Sequence, residues 1–270
     1  MIDSMTKTIR ASDGAAIAFE TRGEGPQTVL LLHGWGGSGT GFFWNEMLDH
    51  LDMTGLQVIL ADLRGHGRSD TVESGFTTEQ FAEDMFAIVD AVGAASVVVA
   101  GYSMSGRWAQ WMASSRPERV HGQILIAPVP AADIPFSDEL KAQWLQVAQE
   151  RRMDTFDTWV HQFTRERLPA AALTGYFESV TSTAPHSLGA TLDMCRQQGQ
   201  FIDKLAATRA RTLVIGGRAD PILPPEVLRQ AVVAPIPGAR LVALDCGHEI
   251  PLEQPQMAAA VVEAFLAGLG

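Results

Sequence analysis

Three residue types that together could make an acyl-transfer site occur on this chain, each just after a run that reads as a strand. Ser103 lies in Gly101-Tyr102-Ser103-Met104-Ser105-Gly106, between the apolar run Ser96–Ala100 and the helix-forming run Arg107–Ser115. A serine on a sharp turn from a parallel strand into a helix has its hydroxyl pushed out at the top of the sheet. The N–H of Met104 then lies at a helix N-terminus, where developing negative charge is favoured. A serine hydroxyl is a poor nucleophile unless a base takes its proton, and the base works best as a histidine oriented by a carboxylate. His248 follows the run Arg240–Leu244, and Asp220 follows the apolar, β-branched run Arg211–Ile215. Asp133 follows the neighbouring strand and is a second carboxylate within reach of the same histidine.

A fourth stretch completes the chemistry. Thr28–Leu32 is an apolar strand, followed by His33-Gly34-Trp35-Gly36-Gly37-Ser38-Gly39. Its glycines let the backbone turn an amide towards a substrate oxygen, which makes the N–H groups of Trp35 and Met104 the expected oxyanion donors. Each such donor typically contributes roughly 3–4 kcal/mol to the transition state. Gly34 to Gly39 also matches G-x-G-x-x-G, with Asp62 at the end of the next strand, close to the dinucleotide-binding fingerprint. The match lacks its helix: Gly39-Thr40-Gly41 continues without a helical pattern, which starts near Phe42, so a pyrophosphate would miss the helix N-terminus it needs. An NAD-dependent dehydrogenase is therefore the remote alternative, and it leaves Ser103, Asp220 and His248 without a role.

The chain resembles the α/β-hydrolase superfamily. The resemblance rests on five motifs in order at strand ends: His33-Gly34-Trp35; Asp62-Leu63-Arg64-Gly65-His66-Gly67-Arg68-Ser69; the Ser103 turn; the Gly216–Asp220 loop; and Gly247-His248 followed by Pro251, Glu253 and Pro255. It covers nearly the whole chain and implies a Ser103–Asp220–His248 triad under a cap. It also implies a choice of reaction. Ester or lactone hydrolysis comes first, and carbon–carbon bond hydrolysis or cofactor-free haloperoxidase or perhydrolase chemistry on the same triad is the alternative. An aspartate nucleophile would mark dehalogenases and epoxide hydrolases, and Ser103 argues against both. No cofactor and no metal are expected. One departure stands out: the family writes G-x-S-x-G, and here Ser105 takes the last position with Gly106 behind it.

Of the remaining polar residues, His33 is expected to hold the oxyanion loop, and Arg64 and His66 to fix the loop after their strand. Cys246 is expected to be a small core residue. The 270 residues suit one large domain with an insertion, and the composition, 46% hydrophobic and 19% charged, is ordinary for a globular protein. A net charge of -11 argues against nucleic acid and anionic membrane surfaces as partners and favours a small, neutral or weakly anionic molecule. The stretch Met1–Arg10 is polar, and the two cysteines make no disulfide framework, so a cytoplasmic enzyme is expected.

Strand-like runs alternate with helical ones, which predicts an α/β fold with a mainly parallel sheet covered on both faces. Ala15–Glu20 reads as an antiparallel edge strand; Thr28–Leu32, Gln57–Ala61, Ser96–Ala100, Gln123–Ala127, Thr212–Ile215 and Arg240–Leu244 read as the inner sheet. Phe81, Met85, Ile88, Val89 and Val92 make one face of a helix after Thr78, and the last helix runs from Pro255 to Ala267. The alternation breaks after Pro128. Helical patterns at Glu139–Arg152, Thr155–Arg165, Ala170–Val180 and Leu188–Cys195 divide the chain into a core at 1–128 and 206–270 and a helical cap at 129–205. Aromatic residues of the cap, Trp144, Trp159 and Phe163 foremost, are the expected substrate-binding wall.

Overall fold

The computed structural model describes residues 6–39, 43–197 and 199–269; the helix start read near Phe42 and the first part of the polar N-terminal stretch lie outside them. Eight strands form one sheet: β1 (Lys7–Arg10), β2 (Ala16–Arg22), β3 (Gln27–Leu32), β4 (Leu56–Ala61), β5 (Val97–Tyr102), β6 (Val120–Ile126), β7 (Arg211–Gly217) and β8 (Arg240–Leu244). They lie in the order β1-β2-β4-β3-β5-β6-β7-β8. The β1/β2 and β2/β4 pairs are antiparallel, and all pairs from β4 to β8 are parallel. β5 sits in the middle and is buried along its whole length, which is why it reads as an unbroken apolar run rather than an alternation.

Two strands sit differently from their reading. The expected edge strand at Ala15–Glu20 is β2, and β1 lies outside it. β1 is mostly exposed and polar, so it carries no hydrophobic period to find. β8 forms the opposite edge and not part of the inner sheet.

The helices are α1 (Asn45–Leu48), α2 (Thr78–Ala91) and α3 (Met104–Ser115); then α4 (Asp138–Glu150), α5 (Met153–Val160), α6 (Ala170–Ser182), α7 (Pro185–Gln197) and α8 (Ile202–Leu205); then α9 (Pro225–Leu228), α10 (Ile250–Glu253) and α11 (Pro255–Ala267). α2 buries Phe81, Met85, Ile88 and Val89, and its N-cap Thr77 accepts from the Gln80 N–H at 3.1 Å. Gly93, at φ 74°, follows its C-cap, where a left-handed residue costs glycine least. α1 packs with α10 and α11, and α3 with α2 and α8.

Between β6 and β7 the chain runs through α4 to α8, with no strand among the described residues. α5 stops at Val160, short of the helix read to Arg165. The cause lies in the core. The Phe163 carbonyl accepts from the His248 N–H at 2.7 Å, and the Arg165 N–H donates to Glu253 at 2.7 Å. Backbone groups that would have continued the helix are turned instead towards the histidine loop. No described helix is long and apolar enough to cross a membrane.

Candidate active site

Ser103 joins the end of β5 to the start of α3 at φ 51°, ψ -114°. A non-glycine residue there costs about 1–3 kcal/mol and needs a surrounding that over-determines it. Its N–H donates to Ile126 at 2.8 Å, and its carbonyl accepts from Gly106 at 3.0 Å and Val129 at 2.8 Å. Both backbone groups of the strained residue are therefore held. The turn is tight: a Cβ on Gly106 would lie 2.3 Å from that of Pro128. Ser105, the departure from the family pattern, fits for a positive reason. Its hydroxyl donates to the Leu32 carbonyl at 2.7 Å and accepts from the Tyr102 N–H at 2.9 Å. It thus ties the elbow to β3 at the point where the β3/β5 ladder ends.

Ser103 Oγ lies 2.9 Å from His248 Nε2, and His248 Nδ1 lies 2.7 Å from Asp220 Oδ2. Asp220 accepts at its other oxygen from the N–H groups of Ile222 at 2.8 Å and Leu223 at 3.0 Å. One oxygen is thus fixed by its own turn and the other is left for the imidazole. The Nδ1–H donates to Asp220, which leaves the Nε2 lone pair facing the serine hydroxyl. Asp133 is exposed and lies 3.8 Å from Arg107, so of the two carboxylates the fold brings Asp220 to the histidine.

The electrostatics follow from burial and pairing. Burial pulls the His248 imidazole down, but the charge and hydrogen bond of Asp220, with Glu249 and Glu253 behind, outweigh it and hold the group above its ordinary value. Burial pushes the Asp220 carboxyl up, and the His248 charge, its hydrogen bond and the two turn amides more than offset that. Cys246 is buried beside the histidine, and burial, with Glu253 and Asp220, pushes its thiol up to about 12. A thiol held there is no thiolate at neutral pH.

The loop after β3 faces this group. A Cβ on Gly34 would lie 2.7 Å from the Tyr102 ring, so only glycine passes so close to the elbow. His33 Nε2 accepts from the Leu63 N–H at 3.1 Å, so its Nδ1–H donates to the Gly34 carbonyl at 2.8 Å. Burial drives His33 down and His66, with His33 alongside, down to about 3, so both are neutral. Arg64 is fully buried and bidentate on Asp84 at 2.7 and 2.9 Å, with Asp13 at 2.8 Å. Asp62 accepts from Ser38 and from the Arg68 N–H, both at 2.8 Å. That carboxylate is spent inside the loops, where the dinucleotide reading would have it on a ribose.

Ser103, Met104, Trp35 and His248 open on one small cavity of about 40 Å³. Trp144, one of the three aromatic residues singled out in the sequence, lines it. Trp159 and Phe163 do not. They pack behind Trp144, with ring centroids 5.2 and 5.5 Å from its own, and Trp159 also lies 5.9 Å from Trp35. Phe163 lies beyond the end of α5, where its carbonyl accepts from the His248 N–H. The remaining wall includes residues the sequence did not single out: Leu192 and Cys195 on α7, Ile134 and Phe136 before α4, and Ile222 and Leu223. The last two follow Asp220 directly, which is the one signal that could have found them. Neither Lys nor Arg is among the lining residues.

Glu253 was also without an assigned role in the sequence. Its carboxylate accepts from the N–H groups of Gly247 (3.0 Å), Glu249 (3.2 Å) and Arg165 (2.7 Å) and so cradles the histidine loop.

The chain is 29% identical over 283 residues to a 2-hydroxy-6-oxononadienedioate/2-hydroxy-6-oxononatrienedioate hydrolase of Escherichia coli, with 98% of this chain and 94% of the relative covered. It is 30% identical over 264 residues to the dihydrolipoyllysine-residue acetyltransferase component of the acetoin cleaving system of Cupriavidus necator, covering 95% of this chain and 68% of that one. Among solved structures, a thermophilic esterase of Thermogutta terrifontis superposes with a TM-score of 0.81 at 26% identity, covering 98% and 99% of the two chains. A sequence profile of the alpha/beta hydrolase fold matches residues 27–255, and with that match the chain belongs to the alpha/beta hydrolase family.

Proposed function

We propose that the protein is a serine-dependent hydrolase that cleaves a carboxylic ester or lactone of a small, largely apolar substrate, with residues 129–205 as a cap over the site. The observation that carries this reading is the pair of contacts at 2.9 Å and 2.7 Å that link Ser103 to His248 and His248 to Asp220, with Ser103 and His248 on the wall of an apolar cavity. Ser103 Oγ attacks the substrate carbonyl and its proton passes to His248 Nε2. Asp220 holds the imidazole tautomer and stabilises the imidazolium. The carbonyl oxygen becomes an oxyanion held by the Trp35 and Met104 N–H groups. Met104 is the first residue of α3, so its N–H has no acceptor within the helix. Collapse of the intermediate expels the alkoxide, which takes the proton from His248. Water, deprotonated by His248, then attacks the acyl-enzyme and frees the acid and Ser103.

A p-nitrophenyl ester series from acetate to decanoate, with intact-mass detection after fluorophosphonate treatment, tests this. Turnover that falls with chain length, with one adduct mapping to Ser103, is the expected result. An adduct without turnover on any ester would move the assignment to another acyl or carbon–carbon chemistry. Absence of the adduct would remove the serine from the reaction.

Carbon–carbon bond hydrolysis is the second reading, because the Escherichia coli relative bears the name of such a substrate. That substrate is a dicarboxylate, and carboxylates are normally met by Arg or Lys. With neither among the cavity residues, the ester reading takes precedence.

A further inference from the structure

A third carboxylate stands behind the histidine, and the mechanism above does not use it. Glu249, 2% exposed, directly follows His248. Tyr102, the residue before Ser103, donates its hydroxyl to Glu249 at 2.7 Å and lies within 3.3 Å of the His248 carbonyl. Tyr176, on α6 of the helical insertion, also donates to Glu249. Burial raises the Glu249 carboxyl above its ordinary value, against the pull of the His248 charge and of the two phenol hydrogen bonds, and it pushes both phenols well above their ordinary range, so both keep the protons they donate. One buried carboxylate therefore binds three parts of the molecule: the nucleophile strand, the histidine loop and the insertion.

Burying a carboxylate is costly unless hydrogen bonds compensate it, and removing one partner strands the others. A purely structural link at this place could be made by apolar residues of the same shape, often at no loss of stability. The placement of a charge here, one residue from the general base, calls for a role in the chemistry. We propose that Glu249 is a positioning residue: its charge reinforces that of Asp220 on the His248 imidazolium, and its Tyr102 and Tyr176 partners lock the histidine loop to the elbow and to the cap. This rests on the reading of His248 as general base. The groups facing His248 are Asp220 from the loop after β7, Ser103 and Tyr102 from the elbow, Cys246, and Glu249 and Glu253 from its own segment. Arg165 on the insertion side is paired with Asp245.

The test is the titration of His248 followed through its imidazole 13Cε1 resonance, assigned by its loss in His248→Gln. Glu249→Gln should lower the midpoint by about half a pH unit or more, below the ~1–3 units that a charge in direct contact produces. The acid limb of kcat/KM for p-nitrophenyl acetate should move down by the same amount. An unmoved midpoint would overturn the electrostatic role, whatever the change in melting temperature. If Glu249→Gln does not fold, Glu249→Leu/Tyr102→Phe/Tyr176→Phe replaces all three partners by apolar shapes and leaves none unsatisfied; the same downward shift is expected and its absence is equally decisive. Tyr176→Phe keeps the charge and cuts only the tie to the insertion. It should raise KM several-fold with the midpoint unmoved, and an unchanged KM would remove the cap from the proposal. Because the resonance needs no substrate, failure of all ester turnover would reject the hydrolase reading while the titration still decides this one.

Discussion

The strand-end loops and the helical insertion face each other across one cavity but hold their residues by different means. On the core side, each key group is fixed by short, directional hydrogen bonds to backbone amides and carbonyls: Ser103 through Ile126 and Val129, Asp220 through Ile222 and Leu223, the His248 loop through Glu253. On the insertion side, Trp144 lines the cavity and packs against the rings of Phe136, Trp159 and Phe163 at centroid distances of 5.1 to 5.5 Å. Hydrogen bonds of this kind set an orientation, whereas ring packing sets a shape and tolerates exchange of volume. Substitutions on the two sides should therefore separate, one altering the chemistry and the other the shape of the cavity. Hydrogen bonds also cross between the two sides, among them that of Trp35 Nε1 to the Leu188 carbonyl of α7 at 3.0 Å and that of the Ser179 hydroxyl to the Gly36 carbonyl at 2.8 Å.

The sharpest way to break this comparison lies on the core side. Ser103→Ala should reduce kcat for ester hydrolysis by about 10⁵–10⁶, the cost of losing a triad serine, while the thermal unfolding curve stays nearly in place. Retention of turnover would put the nucleophile elsewhere. Asp220→Asn should lower kcat by about 10⁴ through the wrong imidazole tautomer, whereas Asp133→Asn should change little, because Asp133 faces solvent and Arg107. The reverse ranking would exchange the two carboxylates. Both rate measurements belong on the plateau above the acid limb, because His248 is held above the ordinary imidazole value and must lose its proton to act as base.

The difference between the two sides also decides what was legible in the sequence. Ser103, Asp220 and His248 stand at the ends of strands whose apolar runs are unmistakable, so their convergence follows from a parallel sheet. Asp133 follows a strand too, and only the bonds to Ile222 and Leu223 reveal why Asp220 is the carboxylate that turns inwards. In the insertion, helical periodicity gave the elements but not their facing. Trp144 reaches the cavity while Trp159 and Phe163 stand behind it, and α5 ends early where the Phe163 carbonyl takes the His248 N–H. That bond joins residues far apart in the chain and leaves no local signal. The same holds for Glu249, whose partners Tyr102 and Tyr176 lie on different elements.

On the insertion side the expected effects are smaller and of another kind. Trp144→Ala opens the cavity and removes four ring contacts from a half-buried side chain. Aromatic pairs contribute about 0.5–1.5 kcal/mol each beyond area, but neighbours relax, so a loss of about 1–3 kcal/mol of stability is expected, below the ~3–5 of a fully buried tryptophan. In the ester series, kcat/KM should fall for acetate and rise for longer chains. A profile that merely drops at all lengths would mean that the rings orient the core side as well, and the division between chemistry and shape would fail.

The smallest expected change in turnover comes from the residue that departs from the family pattern. Ser105→Ala keeps the small volume at the turn but leaves the Leu32 carbonyl and the Tyr102 N–H without the hydroxyl between them. A buried polar group that loses its partner costs about 1–3 kcal/mol, and the Tyr102 N–H is part of the strand that carries Ser103. Ser105→Gly restores the family glycine and suffers the same loss, plus about 1 kcal/mol for glycine in a helix. Denaturant midpoints should therefore rank wild type above Ser105→Ala and Ser105→Gly last, with kcat changed only a few-fold because the Ile126 and Val129 bonds to Ser103 remain. A glycine variant more stable than the alanine one would mean that Ser105 strains the elbow, and that its two hydrogen bonds compensate the strain rather than add rigidity to the nucleophile.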